Sequence, residues 1–133
     1  MKITSALLAA QAMARITNLS PDDVYVRLQN GNGVVVDIRE RDEVTGTGTI
    51  PGAIHIPRGV LEFQVDPGSP SYRAELTPDL PMILVCDDGQ RSALATETLK
   101  SLGFSNVAHL RGGFREWIRQ GLPITETFGE HES

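Results

Sequence analysis

The chain has 133 residues and a mass of 14.4 kDa, about one domain on a scale of roughly 100–200 residues each. Hydrophobic residues are 40% and charged residues 22%, which argues against disorder; a net charge of −5 gives no global attraction for nucleic acid or an anionic membrane. The single cysteine, Cys86, excludes an internal disulfide, and the histidines at 55, 109 and 131 lack zinc-ligand spacing, so neither a disulfide scaffold nor a metal site is expected.

Residues 1–17 read as an N-terminal helical extension. Met1 and Lys2 precede a mostly apolar stretch, and Ala12-Met13-Ala14 has the small-residue form of a signal-cleavage site. Thr4, Ser5 and Gln11 interrupt the run, while Ile3, Leu7, Leu8 and Ala14 fit one helical face. The expectation is a short amphipathic helix packed on the domain, in a cytoplasmic protein. No apolar run reaches the ~20 residues of a membrane span.

Residues 18–123 carry the domain. Ser20-Pro21-Asp22-Asp23 is a helix start, with a capping Ser, Pro at the first helical position and acids in the first turn. Val24, Tyr25 and Leu28 give its apolar stripe, and Asn30 to Gly33 stops it. Residues 34–38 are branched and apolar apart from Asp37, the pattern of a buried parallel strand. Residues 39–44 predict one charged helical turn, 46–48 a loop, and 50–57 a turn before a brief strand. Residues 60–63 predict a helical turn, followed by a Pro-rich irregular excursion to Pro81. A second strong strand is expected at 82–86. A helix follows at 92–102, lined by Leu94, Ala95, Leu99 and Leu102, then a strand at 107–110 and a helix at 114–120. Residues 124–133 read as a frayed tail. Strands alternating with helices mean an α/β domain with a parallel sheet.

Ligands of such sheets bind at the carboxyl ends of the strands, and Cys86 falls at one. Asp87, Asp88, Gly89, Gln90, Arg91 and Ser92 follow it, then a helix. A helix start presents free N–H groups and partial positive charge. Gly89 lets the backbone curl so that amides point inward. A thiolate at the centre would be stabilised, and Arg91 adds a full charge. The expected product is a nucleophilic sulfur in an anion-binding cradle; the plainer reading is a small buried hydrophobe.

Four segments in order resemble the rhodanese family of sulfurtransferases. They are Val36-Asp37-Ile38-Arg39 with Glu43; Ile50-Pro51-Gly52-Ala53-Ile54-His55-Ile56-Pro57; Cys86-Asp87-Asp88-Gly89-Gln90-Arg91-Ser92-Ala93; and Leu110-Arg111-Gly112-Gly113-Phe114-Arg115-Glu116-Trp117. The excursion at 58–72 is similar to that of a subgroup of single-domain bacterial members. The resemblance implies a five-stranded parallel sheet with helices on both faces. It also implies double displacement without a cofactor. Cys86 takes a sulfane sulfur from a small-molecule donor as a persulfide, and a thiol, cyanide or a partner protein's cysteine removes it.

Two departures stand out. Thr49 occupies a position where the family usually has His, and a structural role is expected there. Asp87 and Asp88 flank the cysteine, where carboxylates would repel a dianion such as thiosulfate and oppose thiolate formation, unless both side chains face water. Asp37 and Arg39 are expected to support the loop, Arg58 to contact substrate, and Phe114 and Trp117 to lie in the core. His55 and His109 are expected to be packed or hydrogen-bonded, and no general base is evident. The rival readings are a cysteine phosphatase or arsenate reductase, whose phosphatase loop has one more residue before its Arg, and a persulfide carrier or redox or interaction module.

Overall fold

Buried runs of branched residues form the middle of the sheet because neither of its faces meets water. The computed structural model describes residues 2–126 and 128. Its strands are β1 (Thr17–Leu19), β2 (Val34–Asp37), β3 (Ile54–His55), β4 (Met82–Val85) and β5 (Val107–Leu110). All pair in parallel, in the order β1-β5-β4-β2-β3.

Side chains alternate across the sheet, as strand geometry requires. Val36, Met82 and Leu84 meet Leu61, Val65, Ala95 and Leu99 on one face. Those partners come from α4 (Leu61–Val65) and α5 (Gln90–Ser101). Val35, Ile83 and Val85 meet Val24, Phe114 and Trp117 on the other, from α2 (Pro21–Gln29) and α6 (Gly113–Arg119). The connection from β2 runs outward to β3, and that from β4 runs the opposite way to β5. The crevice between the carboxyl ends of β2 and β4 is therefore the topological switch point, where ligands of open α/β sheets bind.

The expected elements appear, with differences that have physical reasons. The short strand β1 was not legible, because Thr17 and Asn18 are polar and only pairing with β5 makes them a strand. The charged turn extends into a helix, α3 (Arg41–Thr47), taking in Gly46. Its start is closed by the Glu40 N–H donating to Glu43 Oε2 at 2.8 Å, half of a capping box. Helix α5 begins at Gln90, inside the cysteine loop, and Leu102 is exposed rather than core. The excursion after β3 is a 3₁₀ turn at Arg58–Val60, then α4, then irregular chain anchored by buried Leu76.

Helix α1 (Ser5–Met13) forms where the extension was expected, but on another face. Ala9 and Ala12 are buried, whereas Ile3, Leu7 and Leu8 are exposed. Small side chains let α1 lie close against the domain. Arg15 just beyond it pairs with Glu97 of α5 at 2.6 Å and accepts Lys100 Nζ on its carbonyl at 2.7 Å. The start of the expected tail is also docked: Thr49 and Thr125 exchange N–H···O bonds of 2.8 Å. Trp117 Nε1 donates to the Pro123 carbonyl at 2.7 Å. The rest of the tail, apart from Phe128, lies outside the described residues, as does His131. Among the described residues no helix is long and apolar enough to cross a membrane.

Candidate active site

The site grows from the point where β4 ends. Cys86 follows Val85 at the switch point and is buried. Its Sγ accepts the N–H of Gly89 at 3.1 Å and of Ser92 at 3.2 Å. Gly89 makes this curl possible with φ +98°, a conformation that L side chains rarely adopt. The amide cradle expected from the sequence is thus formed by Cys86, Gly89 and Ser92, at the start of the 12-residue helix α5.

The outer wall of the loop is held by α6. Phe114 N–H donates to the Cys86 carbonyl at 2.8 Å, and Arg115 N–H to the Asp87 carbonyl at 3.0 Å. The free amides of one helix start therefore fix the backbone of the loop. A Cβ on Gly113 would overlap the backbone of Asp87 and Asp88. This explains glycine at position 113: only a bare backbone comes this close to the loop.

Asp37 and Arg39 form a closed charged network at the end of β2, both fully buried. Arg39 Nε donates to Asp37 Oδ1 at 3.0 Å and Nη2 to Oδ2 at 2.8 Å. The guanidinium also donates to Thr47 Oγ1 and the Gly48 carbonyl, each at 2.8 Å. Thr49 Oγ1 donates to Asp37 Oδ2 at 2.7 Å, a structural use of that position. His55 Nε2 donates to the Arg39 carbonyl at 2.7 Å. Arg39 lies 4.4 Å from the centroid of the Phe114 ring, the residue whose N–H holds Cys86. The pair touches the loop through Phe114.

Arg91 is placed differently from the expectation of a free charge beside sulfur. Its two terminal nitrogens donate to Glu43 at 2.9 and 2.6 Å. The bond from Arg91 brings the Glu43 carboxyl down to about 2, aided by the Glu40 N–H and opposed by partial burial. Glu43 thus ties α3 to the cysteine loop, a role that its place in the 36–43 segment does not reveal. Asp87 pairs with Arg115 of α6. Asp88 Oδ1 accepts the N–H of Gln90 at 3.0 Å. Both carboxylates therefore have partners other than the sulfur, and Gln90's amide is spent on Asp88. Arg58 donates to Glu62 at 2.9 Å and to Thr98 Oγ1 of α5 at 3.4 Å, so both of its terminal nitrogens are engaged by side chains outside the cysteine loop.

A buried polar chain also reaches the sulfur. Ser92 Oγ lies 3.4 Å from Cys86 Sγ and 2.9 Å from His109 Nδ1. His109 Nε2 lies 2.7 Å from Asn18 Oδ1, and Asn18 and His109 are directly opposite on β1 and β5. Burial pushes the His109 imidazole down to about 4, with Arg111 adding to the shift. Among the described residues no group of His, Cys, Asp and Glu could hold a metal ion.

A cysteine seated on amide donors at the switch point of a parallel sheet defines an α/β domain suited to covalent chemistry on sulfur. The rhodanese-like domain profile matches residues 20–120, and the chain belongs to that family. It is 29% identical to the thiosulfate:glutathione sulfurtransferase of Homo sapiens, over 81% of this chain and 98% of that one. Among solved structures it is similar to a protein of unknown function, possible tyrosine phosphatase, from Rhodopseudomonas palustris. That likeness has TM-score 0.89 and 35% identity, covering 94% of this chain and 96% of the other. The homodimeric polysulfide-sulfur transferase of Wolinella succinogenes matches with TM-score 0.73 and 30% identity, over 94% and 88%.

Proposed function

We propose that the chain moves a sulfane sulfur from a small-molecule donor to a thiophilic acceptor through a persulfide on Cys86. The observation that carries this reading is the pair of N–H donors on Sγ, at 3.1 and 3.2 Å. They stabilise an anionic sulfur as nucleophile and again as leaving group. In the first step the Cys86 thiolate attacks the sulfane sulfur, an S–S bond forms, and the donor leaves as its anion. In the second, an acceptor attacks the outer sulfur and Cys86 leaves as thiolate. No second cysteine is present, so the acceptor is external: a small thiol, cyanide or a partner protein's cysteine. The relatives' names support thiosulfate or polysulfide as donors and glutathione as acceptor. We place the reaction in the cytoplasm, where an unpaired thiol stays reduced.

Gly89 and Ser92 supply the cradle's N–H donors, Asp87, Asp88 and Gln90 flank its mouth, and Arg91 ties the loop to Glu43. Arg58 would reach a bound donor only by leaving Glu62. A phosphatase reading is disfavoured because Arg91 is already committed to Glu43 at 2.9 and 2.6 Å, and four residues separate Cys86 from Arg91.

The test is mass spectrometry after incubation with polysulfide or thiosulfate. One added sulfur, ~32 Da for a one-site persulfide, is expected on wild type, and reductant removes it. Cys86→Ser never acquires it. A persulfide on Cys86→Ser, or phosphatase turnover without sulfur transfer, refutes the reading.

A further inference from the structure

The buried chain Cys86–Ser92–His109–Asn18 has a direction that the hydrogen bonds decide. Asn18 Nδ2 donates to the Met13 carbonyl at 2.9 Å and to the Ile16 carbonyl at 3.1 Å. Both amide hydrogens are thereby used, so Oδ1 is the atom facing His109 Nε2. An amide oxygen only accepts; Nε2 therefore carries the hydrogen. In a neutral imidazole Nδ1 is then the acceptor, and Ser92 Oγ donates its single hydrogen to it at 2.9 Å. The alternative acceptor, the Gly89 carbonyl, is farther at 3.3 Å. The hydroxyl is left presenting lone pairs to Cys86 Sγ at 3.4 Å, so the resting sulfur donates S–H to Ser92.

We propose that His109 is a positioning residue that turns the Ser92 hydroxyl into an acceptor and so holds part of the Cys86 population as thiol. The cause is a competition for one hydrogen. A thiolate needs the Ser92 hydroxyl as a donor, but that hydrogen belongs to His109 Nδ1. Moving it to sulfur leaves a buried ring nitrogen unpaired, which is costly. Leaving it in place turns oxygen lone pairs toward the anion. The two backbone N–H groups favour the thiolate; His109, acting through Ser92, opposes them. Burial keeps the imidazole neutral down to about pH 4, so the arrangement persists across the working range.

The charged groups around the two ends are otherwise settled. Arg91 is paired with Glu43, Asp87 with Arg115, and Asp88 with the Gln90 N–H; Arg111 is the charge that acts on His109. None of them bonds to Ser92 Oγ. The inference takes Cys86 as the sulfur carrier proposed above, but its measurement does not depend on turnover.

Thiolate ultraviolet absorbance is titrated in the full chain, with Cys86→Ser as the blank, so that the lone cysteine is the only thiol read. In His109→Leu the midpoint is expected to fall by about one pH unit, giving about tenfold more thiolate at pH values well below the midpoint. Ser92→Ala should lower the midpoint in wild type, where it removes the acceptor of the S–H, and raise it in the His109→Leu background, where it removes a donor to the thiolate. A His109→Leu protein that is folded, with a midpoint unchanged or higher, overturns the proposal. So do equal effects of Ser92→Ala in the two backgrounds. Should His109→Leu not fold, nitrogen NMR of wild type decides: the Nε2–H tautomer supports the proposal, and a hydrogen on Nδ1 refutes it. Normal persulfide formation beside a null titration would sink this inference alone. Failure of wild type to take up sulfur would sink the functional reading instead.

Discussion

Two buried polar groups flank the sulfur, and they are built on opposite principles. On the β2 side, Asp37, Arg39 and Thr49 form a charged, closed set in which each guanidinium nitrogen has a partner within the set or its neighbouring turn. On the β5 side, Asn18, His109 and Ser92 form a neutral chain with an open end at Cys86 Sγ. A buried charge must be matched completely, because an unpaired ion in a low-dielectric interior is costly. Such a network can shape a loop, with its carboxylate and guanidinium committed to each other. A neutral chain has no charge to neutralise, so it can end at the sulfur, where its fixed direction decides whether the last hydroxyl gives or takes a hydrogen. The difference shows why scaffold and chemistry are separated here although both lie near the loop.

Breaking the charged set should have the largest effect. Arg39→Met leaves the Asp37 carboxylate buried and unpaired, and removes the cation over Phe114. The expected loss is about 3–5 kcal/mol, read by urea unfolding. Asp37→Asn with Arg39→Met removes both charges and should recover part of that loss. A single variant as stable as wild type would refute the closed-network description.

The neutral chain should reveal itself through acid. The folded value for His109, about 4, lies below the 6.5 of an unperturbed histidine. The unfolded chain therefore takes up the proton first. Stability from this residue is complete above pH 6.5 and is lost as pH falls through about 4. The full loss is about 3 kcal/mol, and unfolding midpoints measured down through that window check it. Glu43 acts in a lower window: its folded value of about 2 lies below 4.5, so its contribution is lost as pH falls from 4.5 through 2. With side chains 40% and 34% exposed, the Arg91–Glu43 pair is screened by solvent and should add about 1 kcal/mol. In His109→Leu the upper step should vanish and the lower one remain. A single step at the lower window in wild type would contradict a buried neutral histidine.

The smallest effect should come from the mouth of the site, which belongs to neither polar group. Asp88→Ala frees the Gln90 N–H and removes a negative charge near the donor's path. The kcat/KM for thiosulfate is expected to rise severalfold, equivalent to about 1 kcal/mol, and less in high salt. Asp87→Ala should do less, because Arg115 already pairs that carboxylate. An Asp87→Ala gain equal to that of Asp88→Ala would show that the Arg115 pair does not shield the loop.

Local order in the sequence was enough for the two central strands and for the cysteine loop. Apolar runs at Val34–Asp37 and Met82–Val85, set between helical patterns, are what strands covered on both faces of a parallel sheet require. Cys86, Gly89 and Ser92 lie within seven residues ahead of a helical pattern, so the curl that seats the sulfur is a local event. The orientation of α1 was not legible, because its larger side chains predicted the wrong face and the buried one is lined by alanine.

What only the tertiary structure decided are the pairings across long separations. Arg91 meets Glu43 48 residues away, Asp87 meets Arg115 at a separation of 28, Ser92 meets His109 at 17, and His109 meets Asn18 at 91. Composition and periodicity report how a segment meets water, and so pointed to most of the elements; the short loop after β4 and its resemblance to a known family pointed to Cys86. Which charge a given Arg neutralises, and whether a hydroxyl gives or takes a hydrogen beside the sulfur, depends on sheet register and helix docking. Those bring together residues that no local pattern relates.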